Sequence, residues 1–173
     1  RNPVIKEILN LRKKVKNKIK EKKINILIVG GSQGADIFDR FLPKSLNSLP
    51  LYIKKKITVY HQCSKKNLDL VKKNYSKYKI NNVSKVFFSN IPRIMYKSKF
   101  VICRAGASTL SEITTLGKPS ILIPYKFAKN NHQEKNASWL VSKGAGIILR
   151  EDELTEKKIK DQMKIFFNNE KKL

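Results

Sequence analysis

The sequence predicts an α/β fold, a doubly wound parallel sheet of Rossmann-like type, on two observations. Short apolar runs alternate with longer amphipathic ones along the chain, and most of the short runs are continuous Val, Ile, Leu and Phe blocks. Continuous blocks suit strands covered on both faces, whereas half-exposed strands alternate. Strands are expected at 24–29, 57–61, 83–88, 100–103, 120–123 and 146–149. The first empties into Gly30-Gly31-Ser32-Gln33-Gly34, and the fourth into Arg104-Ala105-Gly106. Helices are expected between them, at 35–46, 65–78, 92–97, 109–116, 132–143 and 155–167. Gly117-Lys118-Pro119 and Gly144 supply the stops before the last two strands. Repeated β–α units build parallel sheets with right-handed crossovers, and ligands of such sheets bind beyond the carboxyl ends of the strands. Both small-residue stretches lie at such ends, as does His61-Gln62, so three loops are expected on one rim.

At 173 residues the chain fits one domain with a real core, and 40% hydrophobic residues argue against a disordered chain. No apolar run approaches the roughly 18–20 residues of a membrane span. Residues 1–22 are read as a basic flank and 23–173 as the domain. The flank has no apolar h-region, so no signal peptide is expected. The chain begins at Arg1 rather than Met, as a fragment or processed chain does. Within the flank, Ile5, Ile8, Leu9, Leu11, Val15 and Ile19 have roughly helical spacing with a cationic opposite face. That suits a linker helix, a docking helix or a membrane-surface helix. Cys63 and Cys103 lie far apart without a CxxC pattern, so neither a zinc site nor a disulfide framework is expected. A reducing cytoplasm is the simpler setting.

The 38 basic against 13 acidic residues give a formal charge of +25. Such a charge suits nucleic acid, an anionic membrane surface, or simply a Lys/Asn-rich composition. Lysines are spread through nearly every segment, as in Lys54-Lys55-Lys56 and Lys72-Lys73-Asn74, with no RNA-binding aromatic motif, zinc finger or helix-turn-helix signature. Specific nucleic-acid binding is therefore not expected, and an anionic membrane surface stays as a partner.

In both small-residue stretches a strand gives way to a helix start, where unpaired N–H groups and the positive helix end suit a phosphate. Residues 30–34 are not a Walker loop, since no Lys-Ser/Thr follows, nor a dinucleotide fingerprint, since Val29 stands in place of the first Gly. Gly31 lets the backbone approach a ligand, and Ser32 and Gln33 can donate hydrogen bonds; the alternative is a tight turn needing a positive φ. In the second stretch Gly106 and Ala107 keep the turn open, and Ser108 and Thr109 offer hydroxyls and N–H groups. Glu112 lies one turn on, where its carboxylate can accept from the vicinal hydroxyls of a ribose. The competing assignment is a capping box, Thr109-x-x-Glu112, in which Glu112 satisfies only the helix end. Arg104 either offsets diphosphate charge or ends a strand with its head in solvent. A third stretch carries Asn131, His132 and Gln133 at a helix start, neutral groups that suit sugar hydroxyls or an ordinary Asn cap. Two phosphate-suited turns, with an acid one turn into the second helix, point to a nucleotide diphosphate site. No Ser-His-Asp, Cys-His or paired-carboxylate arrangement stands out for hydrolysis.

Together Asn2-Pro3-Val4, residues 28–35 (IVGGSQGA), Tyr60-His61-Gln62, residues 101–112 (VICRAGASTLSE), 119–125 and 132–137 (HQEKNA) resemble the MurG family. These are the N-acetylglucosaminyltransferases of peptidoglycan synthesis, and the likeness is to their C-terminal, donor-binding half. It runs over nearly the whole chain. The resemblance implies a GT-B fold of which this is the second Rossmann-like domain. It implies UDP-GlcNAc as donor, lipid I as acceptor, an inverting transfer, no metal or other cofactor, and a peripheral place on the cytoplasmic side of the bacterial inner membrane. By position it implies Gly31, Ser32 and Gln33 at the diphosphate, with Ala107, Ser108 and Thr109 facing it from the helix N-terminus. Glu112 would hold the ribose hydroxyls. Phe88, ending its strand, would lie against the uracil with Ile91 nearby, and His132 and Gln133 would contact the GlcNAc. Ile5 stands where the family usually has a phosphate-contacting Arg, which shifts that charge toward Arg104, a nearby Lys or backbone dipoles. The family's acceptor loops and general base lie in its N-terminal domain, so catalytic residues stay unassigned. This chain alone is expected to bind UDP-GlcNAc weakly and to transfer nothing. The alternative is a noncatalytic nucleotide-sugar module, or the donor subunit of a two-chain GlcNAc transferase.

Overall fold

The computed structural model describes residues 23–31 and 35–168. Parallel strands β1 (Ile24–Val29), β2 (Ile57–Gln62), β3 (Asn81–Lys85), β4 (Phe100–Cys103), β5 (Ser120–Leu122) and β6 (Gly146–Ile148) form one sheet in the order β3-β2-β1-β4-β5-β6. Between them run α1 (Asp36–Asn47), the short α2 (Leu51–Lys54), α3 (Leu68–Lys77), α4 (Ile91–Lys97), α5 (Ala107–Leu116) and α6 (His132–Ser142), and α7 (Glu156–Asn168) follows β6.

The apolar blocks are continuous because both faces are covered. In β1, Ile26 and Ile28 pack under α1, α3 and α7 with Phe38, Leu42, Tyr75 and Met163, while Leu27 and Val29 pack under α4, α5 and α6 with Met95, Ile113 and Leu140. Phe100 extends the first cluster by stacking on Phe166, ring centroids 5.1 Å apart.

β3 corrects the expected strand at 83–88. It starts two residues earlier and ends at Lys85, so Phe88 does not end a strand. As an edge strand it pairs with β2 alone, from Thr58↔Asn81 to Gln62↔Lys85, and needs no apolar block. The Val86-Phe87-Phe88 run that mimics a strand forms the loop leaving the sheet, with Phe88 buried against Tyr60. The helix expected at 109–116 starts at Ala107, and α2 has no counterpart in the sequence expectations. Gly117 closes α5 in the left-handed region at φ 61°.

The chain leaves β1 toward β2 on one side and leaves β4 toward β5 on the other. These two central strands pair from Ile26↔Phe100 to Val29↔Cys103 and send α1 and α5 to opposite faces. The crevice above such a reversal is where open parallel sheets bind ligands. The basic flank, with Asn2-Pro3-Val4 and Ile5, lies outside the described residues, as do Ser32 and Gln33.

Candidate functional site

The two central strands deliver the first two motifs to that crevice. Gly31 leaves β1 at φ 94°, a conformation that favours glycine, and its carbonyl accepts a 3.0 Å hydrogen bond from the buried Gln62 amide at the end of β2. α1 then starts from Ala35, and α5 from Gly106; neither helix start has a side-chain cap. The first helical bond of α5 runs from Leu110 N–H to Gly106 O at 3.0 Å, so the N–H groups of Ala107, Ser108 and Thr109 have no partner within the helix. Ala107 and Ser108 are exposed and Thr109 is half-buried.

This start settles the capping question. Thr109 is the third residue of α5 and Glu112 the sixth, so the pair does not form a capping box. Glu112 is half-buried, and no hydrogen bond or ion pair holds it among the described residues. Burial raises its pKa above the ordinary carboxylate value. At the end of β4, complete burial pushes the Cys103 thiol up to about 12, and the nearby Glu112 charge adds to the effect.

Arg104 is committed inside the protein rather than ending in solvent. Its guanidinium pairs with Glu151 and donates to Ile123 O at 3.0 Å and Pro124 O at 3.2 Å. It also stands 4.9 Å from the Phe38 ring and 5.2 Å from the Tyr125 ring. One side chain thus ties together the loops after β4, β5 and β6 and the first turns of α1.

The third motif lies beyond β5. Asn130 and Asn131 take left-handed conformations at φ 52° and 54°, turning the chain into α6. His132 Nδ1 donates to Lys129 O at 2.6 Å, which in the neutral ring leaves Nε2 as an acceptor. Gln133 Oε1 accepts from Tyr125 N–H at 3.0 Å, leaving its amide nitrogen as the donor. Asn136, one turn beyond His132, donates to Ala105 O at 3.2 Å and fastens α6 to the loop after β4. Sequence reasoning missed that role, although the residue sits in the HQEKNA block. It also missed Phe87. Phe88 is only 6% exposed, with its ring centroid 6.3 Å from that of Tyr60, and Ile91 is half-buried at the start of α4, whereas Phe87 is 73% exposed on the same rim.

A buried polar cluster lies behind the crevice. The Asp39 Oδ2 atom accepts from Ser64 N–H at 3.1 Å, Ser64 Oγ at 2.7 Å and Asn67 Nδ2 at 3.0 Å. Asp39 Oδ1 stands 3.3 Å from His61 Nε2, close enough for attraction but off the hydrogen-bond axis, and His61 Nδ1 meets the Tyr75 hydroxyl at 3.0 Å. Burial holds His61 below its ordinary 6.5 despite the neighbouring carboxylate. Burial alone would raise Asp39, but the contacts from His61, Ser64 and Asn67 together keep it below 3.8. Both shifts act in the same direction. As pH falls below about 6.5, an unfolded chain takes up a proton that folded His61 refuses, and below about 3.8 Asp39 repeats the effect. Urea midpoints are therefore expected to be level near neutral pH and to fall from about pH 6.5 downward; a midpoint that rises on acidification would contradict the cluster's charge state.

The profile of the glycosyltransferase family 28 C-terminal domain matches residues 25–173. A UDP-N-acetylglucosamine--N-acetylmuramyl-(pentapeptide) pyrophosphoryl-undecaprenol N-acetylglucosamine transferase from Wolbachia sp. subsp. Drosophila simulans (strain wRi) is 38% identical over 153 residues, 88% of this chain and 45% of that protein. Its namesake from Zymomonas mobilis subsp. mobilis is 39% identical over 149 residues, 86% of this chain and 38% of that protein. Among solved structures, Acinetobacter baumannii MurG superposes with a TM-score of 0.78 at 28% identity, over 88% of this chain and 45% of that one. The chain spans less than half the length of each.

Proposed function

This chain belongs to the glycosyltransferase family 28 C-terminal domains and carries the Rossmann-like half of a GT-B fold, and on that premise we propose that it binds UDP-GlcNAc for transfer to lipid I. The observation that carries the reading is the arrangement at the central strand pair. Two helix starts without side-chain caps flank one crevice, and at the sixth residue of the second lies a carboxylate with no partner among the described residues. Diphosphate oxygens take the N–H groups of Ala107, Ser108 and Thr109, which have no partner within the helix, and the turn at Gly31 with Ser32 and Gln33. Glu112 accepts both ribose hydroxyls. His132 Nε2 and the Gln133 amide meet the sugar, the one accepting and the other donating.

In the transfer the acceptor hydroxyl attacks C1 of the sugar with inversion, its proton passes to a base, and UDP departs. The charge that grows on the leaving diphosphate faces the two helix N-termini, which strengthens their hold in the transition state. Arg104, already matched by Glu151, acts through the loops it fastens. The base and the acceptor-binding surface are assigned to a companion N-terminal domain and no metal is assigned to the chemistry. The basic surface is assigned to an anionic membrane at the cytoplasmic face. Among the described residues no helix is long and apolar enough to cross a membrane.

Phe87 supplies the exposed ring for the uracil, with Phe88 and Ile91 behind it. Phe87→Ala is expected to weaken UDP binding by roughly five- to thirtyfold, with an unchanged urea midpoint because the ring is exposed. Calorimetry with UDP, UDP-GlcNAc and ADP tests the whole reading. Preference for the uridine ligands supports it, and equal binding of ADP overturns it. Lipid II formed from lipid I by the chain alone would overturn the assignment of the base elsewhere.

A further inference from the structure

The segment that leaves β2 has no contact role in the donor site, yet it grips both ends of the turn between β1 and α1. At the near end Gln62 Nε2 holds the Gly31 carbonyl at 3.0 Å, and Gln62 is buried. At the far end Ser64 and Asn67 hold Asp39, and Asn67 Nδ2 also reaches Asp36 Oδ1 at 3.2 Å; both acids lie in the first turn of α1. Lys66 pairs with Asp36 on the surface. β2 is itself fixed against β1 along its full length, from Ile24↔Ile57 to Val29↔Gln62. The grip is therefore referenced to the sheet and not to another loop.

We infer that the tail of β2, through Gln62 and Ser64, is a positioning clamp for the diphosphate, holding the Gly31 carbonyl and the start of α1 at a fixed separation without touching the ligand. A carbonyl at a positive-φ glycine has no helix or strand partner of its own, so the Gln62 amide decides which way that carbonyl faces as the chain leaves β1. The buried Asp39 carboxylate does the same for the helix start, because a charge taken out of water tolerates little departure from its donors. His61 closes one side of the cluster against Tyr75, while Ser64 and Asn67 supply the donors to Asp39.

The inference rests on the donor reading, and the two fail separately. The test is titration of the full chain with UDP and with uridine, followed by NMR shifts, for the native protein, Gln62→Met, Ser64→Ala and Ser64→Thr. Gln62→Met keeps the volume and removes the donor; Ser64→Ala removes the hydroxyl that Ser64→Thr keeps. The clamp predicts about a tenfold loss of UDP affinity in Gln62→Met and in Ser64→Ala, uridine affinity unchanged in both, and recovery in Ser64→Thr. A merely structural role would lower both ligands alike or neither. A native chain that prefers UDP to uridine, with folded variants that keep the same preference, overturns the clamp alone. A native chain that binds neither ligand overturns the donor reading and the clamp with it.

Discussion

Replacing Arg104 with alanine is expected to lower the unfolding free energy by about 3 kcal/mol, near the lower end of what breaking a buried ion pair costs. The Arg104 and Glu151 side chains are only 12% and 9% exposed, so the variant leaves a carboxylate largely out of water with no counter-charge. Two carbonyls, Ile123 O and Pro124 O, lose the same donor, and the Phe38 and Tyr125 rings lose the plane that stands over both. Urea unfolding measures the loss. Arg104→Ala combined with Glu151→Gln is expected to recover part of it, because the second change removes the orphaned charge and the two sites share one interaction. An unchanged urea midpoint together with a large loss of UDP affinity would instead put the guanidinium on the diphosphate.

Glu112→Ala is expected to do the reverse, with binding lost and folding kept. The carboxylate caps nothing at the sixth residue of α5 and has no partner among the described residues, while its half-burial already disfavours the charge. Alanine is also the better helix former. The urea midpoint should therefore hold or rise slightly. Losing two charge-assisted hydrogen bonds to the ribose should cost about 1.5–3 kcal/mol, a roughly ten- to hundredfold weaker UDP complex. Calorimetry on the folded variant decides the point. Retained affinity would remove Glu112 from the site, and a collapsed fold would return it to a structural role.

The sheet was legible wherever burial on both faces forces an unbroken apolar run, as at residues 26–29 of β1 and at Phe100–Cys103. Legibility failed at β3, where the edge strand Asn81–Lys85 is polar and the apolar run beyond it fills a loop. Periodicity reports burial, and there burial and pairing part company. Within the site, the turns at Gly31 and Gly106 were legible because helix starts and positive φ restrict residue type. The role of Arg104 was not, since its partner Glu151 lies 47 positions away on another loop and no local pattern links them. Spacing could not separate the two assignments of Glu112 either. The start of α5, two residues before the sequence placed it, removes only the capping box. Phe87 and Phe88 show the same limit: adjacent aromatic residues carry no mark of which one the fold turns inward.

The central strand pair also bears on how the crevice comes into being. Its ladder joins residues as distant in sequence as Ile26 and Phe100, with two strands and their helices made in between. Closing so long a stretch of chain is slow compared with local helix or hairpin formation. The β1–β2–β3 half has local partners of its own, and the β4–β5–β6 half likewise. The crevice therefore belongs to neither half alone and exists only where β1 and β4 are joined. On the proposed donor reading, a uridine nucleotide added during refolding is expected to find its site only after that seam has closed, and to stabilise the joined state from then on.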